Sequence, residues 1–209
     1  MTTRPHARLA LLLLPLLASL TGCGYGPLMN KGYLGPDDQF VRMAQPTEAD
    51  LKKTLEKDEI QTIVCLRGDQ TGEGKEWFDE EVAFAQENDL AFHTLRLSTS
   101  RLPSRELLGE LITILKTAEY PLLVHCQAGA DRTGFASVVY RLVVLNDPLD
   151  EALKSFSIWR GHVKRNTPLD QLFEFYRDEA DGRSFEEWYQ QDYNVERLTA
   201  LLDPQPEDE

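Results

Sequence analysis

Residues 125–134 constrain this chain more than any other segment, because they place a cysteine and an arginine at the two ends of a short loop that contains a glycine. The segment reads HCQAGADRTG, with Cys126 near its start and Arg132 near its end. An apolar run at 120–124 precedes it and a helical pattern at 135–145 follows it, which predicts a strand, a tight loop and a helix N-terminus. In such an arrangement, successive backbone N–H groups and the helix dipole form a cradle for an anion such as phosphate.

The side chains at the two ends of this loop suit attack on a phosphate. Cys126 is expected on the floor of the cradle, where loop dipoles and Arg132 favour the thiolate; a cysteine in such a site has a pKa of about 3.5–7.5. Arg132 offers a planar fork of donors that can hold two phosphate oxygens at once. The sequence therefore predicts a nucleophile at Cys126 and a substrate-binding loop that comprises Gln127, Ala128, Gly129, Ala130, Asp131 and Arg132.

The loop resembles the signature of the cysteine-dependent tyrosine and dual-specificity phosphatases. Six positions match that signature in register: His125, Cys126, Gly129, Arg132, Thr133 and Gly134. The order strand, Gln45-Pro46, helix and strand ending in Leu66-Arg67 is similar to the start of many dual-specificity phosphatases. The resemblance covers roughly residues 38–165.

This resemblance implies a phosphomonoester hydrolase that needs neither a metal nor a cofactor. The family mechanism is in-line attack of the Cys126 thiolate on phosphorus, followed by hydrolysis of the phosphocysteine by water. The Thr133 hydroxyl would stabilise the departing thiolate, and His125, which points away from the cradle, would support the loop rather than act as a base. The implied substrates are phosphotyrosine, phosphoserine or phosphothreonine, and phosphoinositide-like molecules.

The chain departs from the family pattern at the general acid. Tyrosine and dual-specificity phosphatases carry an aspartate after the strand that precedes the cysteine strand, but the matching residues 98–104 contain no carboxylate. Myotubularins and the mycobacterial secreted lipid-and-tyrosine phosphatases share the Asp-Arg-Thr run, and in them the loop aspartate is implicated in catalysis. We therefore assign Asp131 as the acid or as a residue that orients Arg132, with Asp69 as the alternative acid.

Strands alternate with helices along the chain, which predicts an α/β fold with a central, mostly parallel sheet flanked by helices, as in dual-specificity phosphatases. The loop that begins at Cys126, called the cysteine loop below, is expected at the carboxyl end of a central strand, where open α/β sheets bind ligands. The phosphatase domain is assigned to residues 40–200, and its C-terminal part is helical, with helices at about 149–159, 169–177 and 185–202. Residues 201–209 are assigned as an acidic tail.

The N-terminal segment has the pattern of an export signal. Two arginines precede a twelve-residue apolar stretch, Leu9–Leu20, that is too short to span a bilayer. The following residues resemble the lipobox of bacterial lipoproteins, which implies removal of residues 1–22 and lipidation of Cys23. Because Gly24 rather than aspartate follows, a Gram-negative host would carry the protein on the periplasmic face of its outer membrane. Glycines and prolines in residues 23–39 predict a flexible tether.

The chain is acidic, with a formal net charge of −13, which argues against binding to nucleic acid. The expected partners are a phosphorylated protein or a phosphorylated small molecule or lipid, and the membrane through the N-terminal lipid. Two other functions stay open: a lipid-anchored phosphate-binding module without catalysis, and a rhodanese-type sulfurtransferase, which the Arg-Thr-Gly ending of the loop disfavours. Cys65 fits either a buried core thiol or, by resemblance to tensin-type phosphoinositide phosphatases, a redox partner of Cys126.

Overall fold

The computed structural model describes residues 30–72, 74–162 and 167–202. Within these residues, five strands form one sheet: β1 (Gly32–Leu34), β2 (Phe40–Met43), β3 (Thr62–Cys65), β4 (Ala91–Thr94) and β5 (Leu122–His125). The order across the sheet is β1-β2-β5-β3-β4; β1 is an antiparallel edge strand, and the other four strands run parallel. The predicted α/β fold with a mostly parallel sheet is confirmed.

Helices cover both faces of the sheet. Over the described ranges they are α1 (Glu48–Asp58), α2 (Lys75–Glu87), α3 (Arg105–Thr117), α4 (Asp131–Val143), α5 (Leu149–Ala152), α6 (Pro168–Glu179), α7 (Phe185–Gln191) and α8 (Val195–Leu201). The first two helices pack on one face, and α3 to α8 contribute to the core on the other. No helix in these ranges has the length and apolar character that crossing a bilayer requires.

The central position of β5 explains where the cysteine loop lies. All four residues of β5 are buried, and parallel neighbours β2 and β3 flank the strand on both sides. Side chains alternate between the two cores, so that Val124 faces α4 and Leu123 faces α1 and α2. Fully burying each such side chain contributes about 1.5–3 kcal/mol to the free energy of folding, which stabilises this strand in the middle of the sheet.

Three segments differ from the sequence prediction. The predicted tether is wrong for its later part, because residues 32–34 form the edge strand β1 and Lys31 Nζ lies 2.6 Å from Asp58 Oδ2. The predicted helix at 149–159 is the short α5 followed by 3-10 turns at 153–155 and 158–160. The predicted helix at 185–202 is interrupted where Tyr193 turns into the core and its hydroxyl donates to Pro103 O at 2.6 Å.

The proposed lipidation site Cys23, the signal peptide at 1–22 and residues 203–209 of the predicted tail lie outside the described residues.

Candidate active site

The cysteine loop, residues 126–130, joins the end of β5 to the start of α4. It passes so close to the end of β2 that a Cβ at Gly129 would lie 2.7 Å from the backbone nitrogen of Ala44. The φ of Gly129 is +67°, which L-residues with side chains rarely adopt. Both the backbone conformation and the close approach therefore require glycine at this position.

Other segments of the chain fix the orientation of the peptide groups in the cysteine loop. Three successive carbonyl groups each accept one hydrogen bond from outside the loop: Gln127 O from Gln45 N–H (3.1 Å), Ala128 O from Asn30 Nδ2 (2.6 Å) and Gly129 O from Arg42 Nη2 (2.9 Å). Because a trans peptide is planar, the next N–H group points away from each bound carbonyl. Three consecutive N–H groups are thus turned to the inner side of the loop, which is the arrangement that an anion cradle needs.

Cys126 lies on the floor of this cradle and is 2% exposed. Burial alone would raise the pKa of the Cys126 thiol, but the Thr133 hydroxyl, the charge of Arg132 and the backbone N–H groups of Thr133 and Gly129 outweigh it and lower the pKa. The Thr133 hydroxyl is buried, and no atom of the described residues meets it with full hydrogen-bond geometry. These contacts favour the thiolate, which is the nucleophilic form of cysteine.

Arg132 follows in the first turn of α4, and its Nε is buried without a hydrogen-bond partner in the described part of the chain. A buried guanidinium N–H that protein atoms leave unpaired is uncommon, because such groups are costly unless they are hydrogen-bonded. A phosphate oxygen in the cradle is the acceptor that would satisfy it.

Arg42 on β2 is a site residue that the sequence analysis missed. It is 1% exposed, and its guanidinium donates to Ser155 O as well as to Gly129 O, both at 2.9 Å. Burial and the charge of Arg160 lower the pKa of Arg42 to about 10, so the group is still charged at neutral pH. A single arginine in the otherwise apolar run FVRM was the available signal, since a charge is rarely buried without a specific partner.

His125 lies on the face of the sheet opposite the cradle and pairs with the buried Glu81 of α2. Its Nε2 lies 2.6 Å from Glu81 Oε1. Burial opposes the charged imidazolium, but Glu81 and the neighbouring Cys65 outweigh it, so the pKa of His125 lies well above its ordinary value. Cys65, Glu81 and His125 are also metal-ligand types close together. However, two ligands of one tetrahedral zinc ion lie about 3.3 Å apart, and 2.6 Å fits a direct ion pair instead.

Cys65 is a buried, free thiol on the same face as His125. Along β3 and its continuation, Val64 and Leu66 belong to the core that contains Cys126, so the side chain between them faces the other core. This alternation supports the core-thiol interpretation of Cys65 over the redox interpretation.

Asp131 is the first residue of α4, and its carboxylate is half-exposed. Its Oδ1 accepts a hydrogen bond from His162 Nδ1 at 2.8 Å, a contact that the sequence analysis did not anticipate. Within the described residues Asp131 makes no ion pair with Arg132. The alternative acid, Asp69, is exposed, and its backbone carbonyl accepts a hydrogen bond from Arg96.

Arg67 stands at the rim of the cradle. Its Cζ lies 4.0 Å from the Trp77 ring centroid, and its Nη1 donates to Gln45 Oε1 at 3.0 Å. Burial lowers the pKa of Arg67, and among the nearby charges that of Arg132 lowers it as well. Arg67 is therefore a fixed cation next to the loop that holds the cysteine.

The fold is similar to that of solved phosphatases. The core catalytic domain of the PP-IP phosphatase Siw14 from S. cerevisiae superposes with a TM-score of 0.57 at 18% identity, over 84% of this chain and 93% of that chain. Tk-PTP in its active form gives a TM-score of 0.54 at 17% identity, over 72% of this chain and 97% of that chain. Identities this low show a shared fold alone. No curated protein sequence matches this chain.

The sequence also matches a family model over residues 31–157, which is more than half of the chain. The matched region begins just before β1 and includes the whole cysteine loop. The predicted kinship with tyrosine and dual-specificity phosphatases is thereby confirmed, and the protein belongs to the cysteine-based phosphatase family described as DSP-PTPase phosphatase fused to NAD+ kinase.

Proposed function

We propose that the protein is a metal-independent phosphomonoester hydrolase in which Cys126 is the nucleophile. The observation that carries this proposal is the set of three bound loop carbonyls, which turns N–H groups toward a buried cysteine of lowered pKa. In the first step the S–P bond forms as the bond from phosphorus to the leaving oxygen breaks. In the second step water cleaves the phosphocysteine, which releases phosphate and restores the thiolate.

The donors of the cradle would neutralise the transferring phosphoryl group. The inward N–H groups are held in place before the substrate arrives, so little free energy is spent in orienting them during the reaction, and the guanidinium of Arg132 would add a charged donor. Removing one preorganised donor of this kind typically costs about 10²–10³-fold in kcat. The Thr133 hydroxyl, which contributes to the lowered pKa of Cys126, would stabilise the thiolate as it leaves phosphorus in the second step.

We assign the proton for the leaving oxygen to Asp131. Its Oδ1 is bound by His162, while its Oδ2 has no partner in the described part of the chain and is available to a substrate. The alternative role of orienting Arg132 would need a contact between the two side chains, and the ion pair of Asp131 is made with His162 instead.

The proposed substrates are a phosphorylated protein or a phosphorylated small molecule or lipid. Arg67 at the rim would favour a substrate with a second anionic group, and the shared fold with the PP-IP phosphatase Siw14 adds inositol phosphates to the compounds worth testing. Membrane attachment through Cys23 remains part of the proposal. A panel of phosphotyrosine, phosphoserine and phosphothreonine peptides and inositol phosphates would rank these classes by kcat/KM.

The deciding experiment is vanadate-sensitive hydrolysis of p-nitrophenyl phosphate by the purified protein. We expect turnover by the wild type and none by Cys126→Ser, which keeps the loop but removes the nucleophile. If both proteins are inert yet bind phosphate, the phosphate-binding module is the better description. If the wild type instead transfers sulfur from thiosulfate to cyanide, it is a sulfurtransferase.

A further inference from the structure

A buried histidine outside the motif, His162, connects the cysteine loop to α6. It is 3% exposed, and its ring stacks on Phe156 with 4.1 Å between the centroids. Nδ1 lies 2.8 Å from Asp131 Oδ1, and Nε2 lies 2.9 Å from Asp170 Oδ1. Nδ1 thus makes a hydrogen bond, whereas Nε2 is in ion-pair contact with Asp170 without full hydrogen-bond geometry, and only the doubly protonated ring carries the charge that both carboxylates attract.

The surroundings of His162 favour this imidazolium. Burial alone would lower the pKa of His162, but the contacts with Asp131 and Asp170 and the charges of these two carboxylates raise it to about 9. A cavity of about 510 Å³ beside the ring is lined by further charged groups: Asp150 and Lys154 near α5, and Glu174 and Arg177 on α6. The two basic groups among them form ion pairs with carboxylates other than those of Asp131 and Asp170. Arg177 pairs with Asp150 and Glu174, and Lys154 pairs with Glu151. Asp131 and Asp170 therefore dominate the charge that His162 meets.

The two carboxylates are held differently. Asp170 lies in the first turn of α6, where its Oδ2 accepts the Thr167 N–H at 3.1 Å as part of a capping box. Asp131 begins α4 without a side-chain cap, and His162 is its hydrogen-bond partner within the described residues. His162 therefore transmits the fixed position of α6 to a carboxylate that is otherwise free to rotate.

We propose that His162 is the positioning residue for Asp131 and stores the proton that Asp131 passes to the leaving oxygen; this rests on the acid role proposed above. The pair carries one proton, which resides on Nδ1 in the resting protein. As the bond from phosphorus to the leaving oxygen breaks, this proton moves from Nδ1 to Oδ1 of Asp131, the carboxyl group rotates about its Cβ–Cγ bond, and its O–H delivers the proton to the leaving oxygen, so that imidazole and carboxylate remain. The water that attacks the phosphocysteine then returns a proton to the pair by the reverse path.

This arrangement explains how a loop aspartate can serve as an acid at neutral pH. An aspartate alone titrates at about pH 3.9 and would be ionised there. Two strongly interacting groups titrate as a unit. The Asp131–His162 pair therefore keeps its shared proton up to the pH at which the His162 imidazolium is deprotonated. The chain thereby has a source of protons although residues 98–104 contain no carboxylate.

The test compares pH–rate profiles of kcat with phenyl phosphate, which has a poor leaving group, and p-nitrophenyl phosphate, which has a good one. For the wild type, we expect kcat with phenyl phosphate to fall on the basic side of the profile near pH 9, where the His162 imidazolium loses its proton. His162→Gln should move the midpoint of this basic limb to lower pH, toward the range in which isolated carboxyl groups titrate. At neutral pH, kcat with phenyl phosphate should then fall by about 10–100-fold, with a smaller loss for p-nitrophenyl phosphate. His93→Gln, a histidine of β4 outside the site, should keep the wild-type profile.

Two further measurements guard against a variant that merely fails to fold. Asp170→Asn keeps the contact between Asp131 and His162 but removes one carboxylate, and should move the basic limb down by about one pH unit. An NMR titration of the His162 imidazole needs no turnover, and its midpoint should fall in Asp131→Asn relative to the wild type.

The outcomes separate this inference from the proposed function. A wild type without phosphatase activity, or an Asp131→Asn variant that slows both substrates equally, would overturn the acid role and this inference together. If Asp131→Asn slows phenyl phosphate selectively while His162→Gln keeps the wild-type basic limb, the assignment of His162 alone is wrong.

Discussion

Replacing Arg42 tests whether the shape of the cysteine loop is imposed from outside the loop. The Arg42 guanidinium binds Gly129 O and Ser155 O, each at 2.9 Å, and Arg42→Met fills similar space without donating to either. Each buried carbonyl that loses its donor costs about 1–3 kcal/mol. The desolvation cost of the buried charge disappears at the same time, so the expected loss in the free energy of unfolding is about 1–4 kcal/mol.

The effect of Arg42→Met on catalysis should be larger than its effect on stability. Once Gly129 O is released, that peptide group is free to rotate and the N–H of Ala130 leaves the cradle. Loss of one preorganised donor lowers kcat by about 10²–10³-fold. We would measure kcat and KM with p-nitrophenyl phosphate well below the unfolding temperature, and record thermal unfolding in parallel. For a chain of this size, each kcal/mol shifts the Tm by about 2–4 °C.

A matched variant controls for the loss of a guanidinium. Arg197→Met removes an exposed arginine that pairs with Glu179 at 2.7 Å, and it should change kcat little. If Arg42→Met lowers the Tm as expected but keeps kcat within about twofold of the wild type, the bond to Gly129 O does not maintain the cradle and the reasoning fails.

Three other substitutions test separate parts of the structure. Gly129→Ala should lower the free energy of unfolding by about 2–5 kcal/mol in urea denaturation, because its methyl group would meet the backbone of residues 43–44 at a positive φ; an unchanged midpoint would contradict that contact. Glu81→Gln leaves the imidazolium of His125 buried and unpaired, and should lower the free energy of unfolding by about 3–5 kcal/mol. Because the pKa of His125 is raised in the folded protein, this loss should be complete below about pH 6.5 and shrink as the pH rises through the raised value, and a pH-independent difference would refute the ion pair. Cys23→Ser should move the protein from the membrane pellet to the soluble fraction, and continued pelleting would rule out the lipid anchor.

The parts of the site that lie close together in sequence were predictable from it. Cys126, Arg132 and the start of α4 follow one another within a few residues, and the local pattern of apolar run, glycine-containing loop and helix fixes their arrangement. The parallel sheet followed from the alternation of strands and helices. These inferences needed only local periodicity and one motif.

The parts of the site that depend on distant contacts were not predictable. Asn30 and Ala128 are 98 residues apart, and the glycine-rich segment around Asn30 has the composition of a tether. Asp131 and His162 are 31 residues apart, with no periodicity that connects them. The break between α7 and α8 did have a local signal, since Asn194 is the N-cap of α8 and asparagine is favoured at that position.

The contact between Asn30 and Ala128 determines where a shortened recombinant protein can begin. A protein that starts at Phe40, the boundary that composition suggests, would lack both β1 and the Asn30 amide that binds the cysteine loop. It would also expose the edge of β2, which invites pairing with other chains and aggregation. A negative assay on such a protein would report on the chosen boundary and not on the chemistry of Cys126, so expression for activity measurements should begin at or before Asn30.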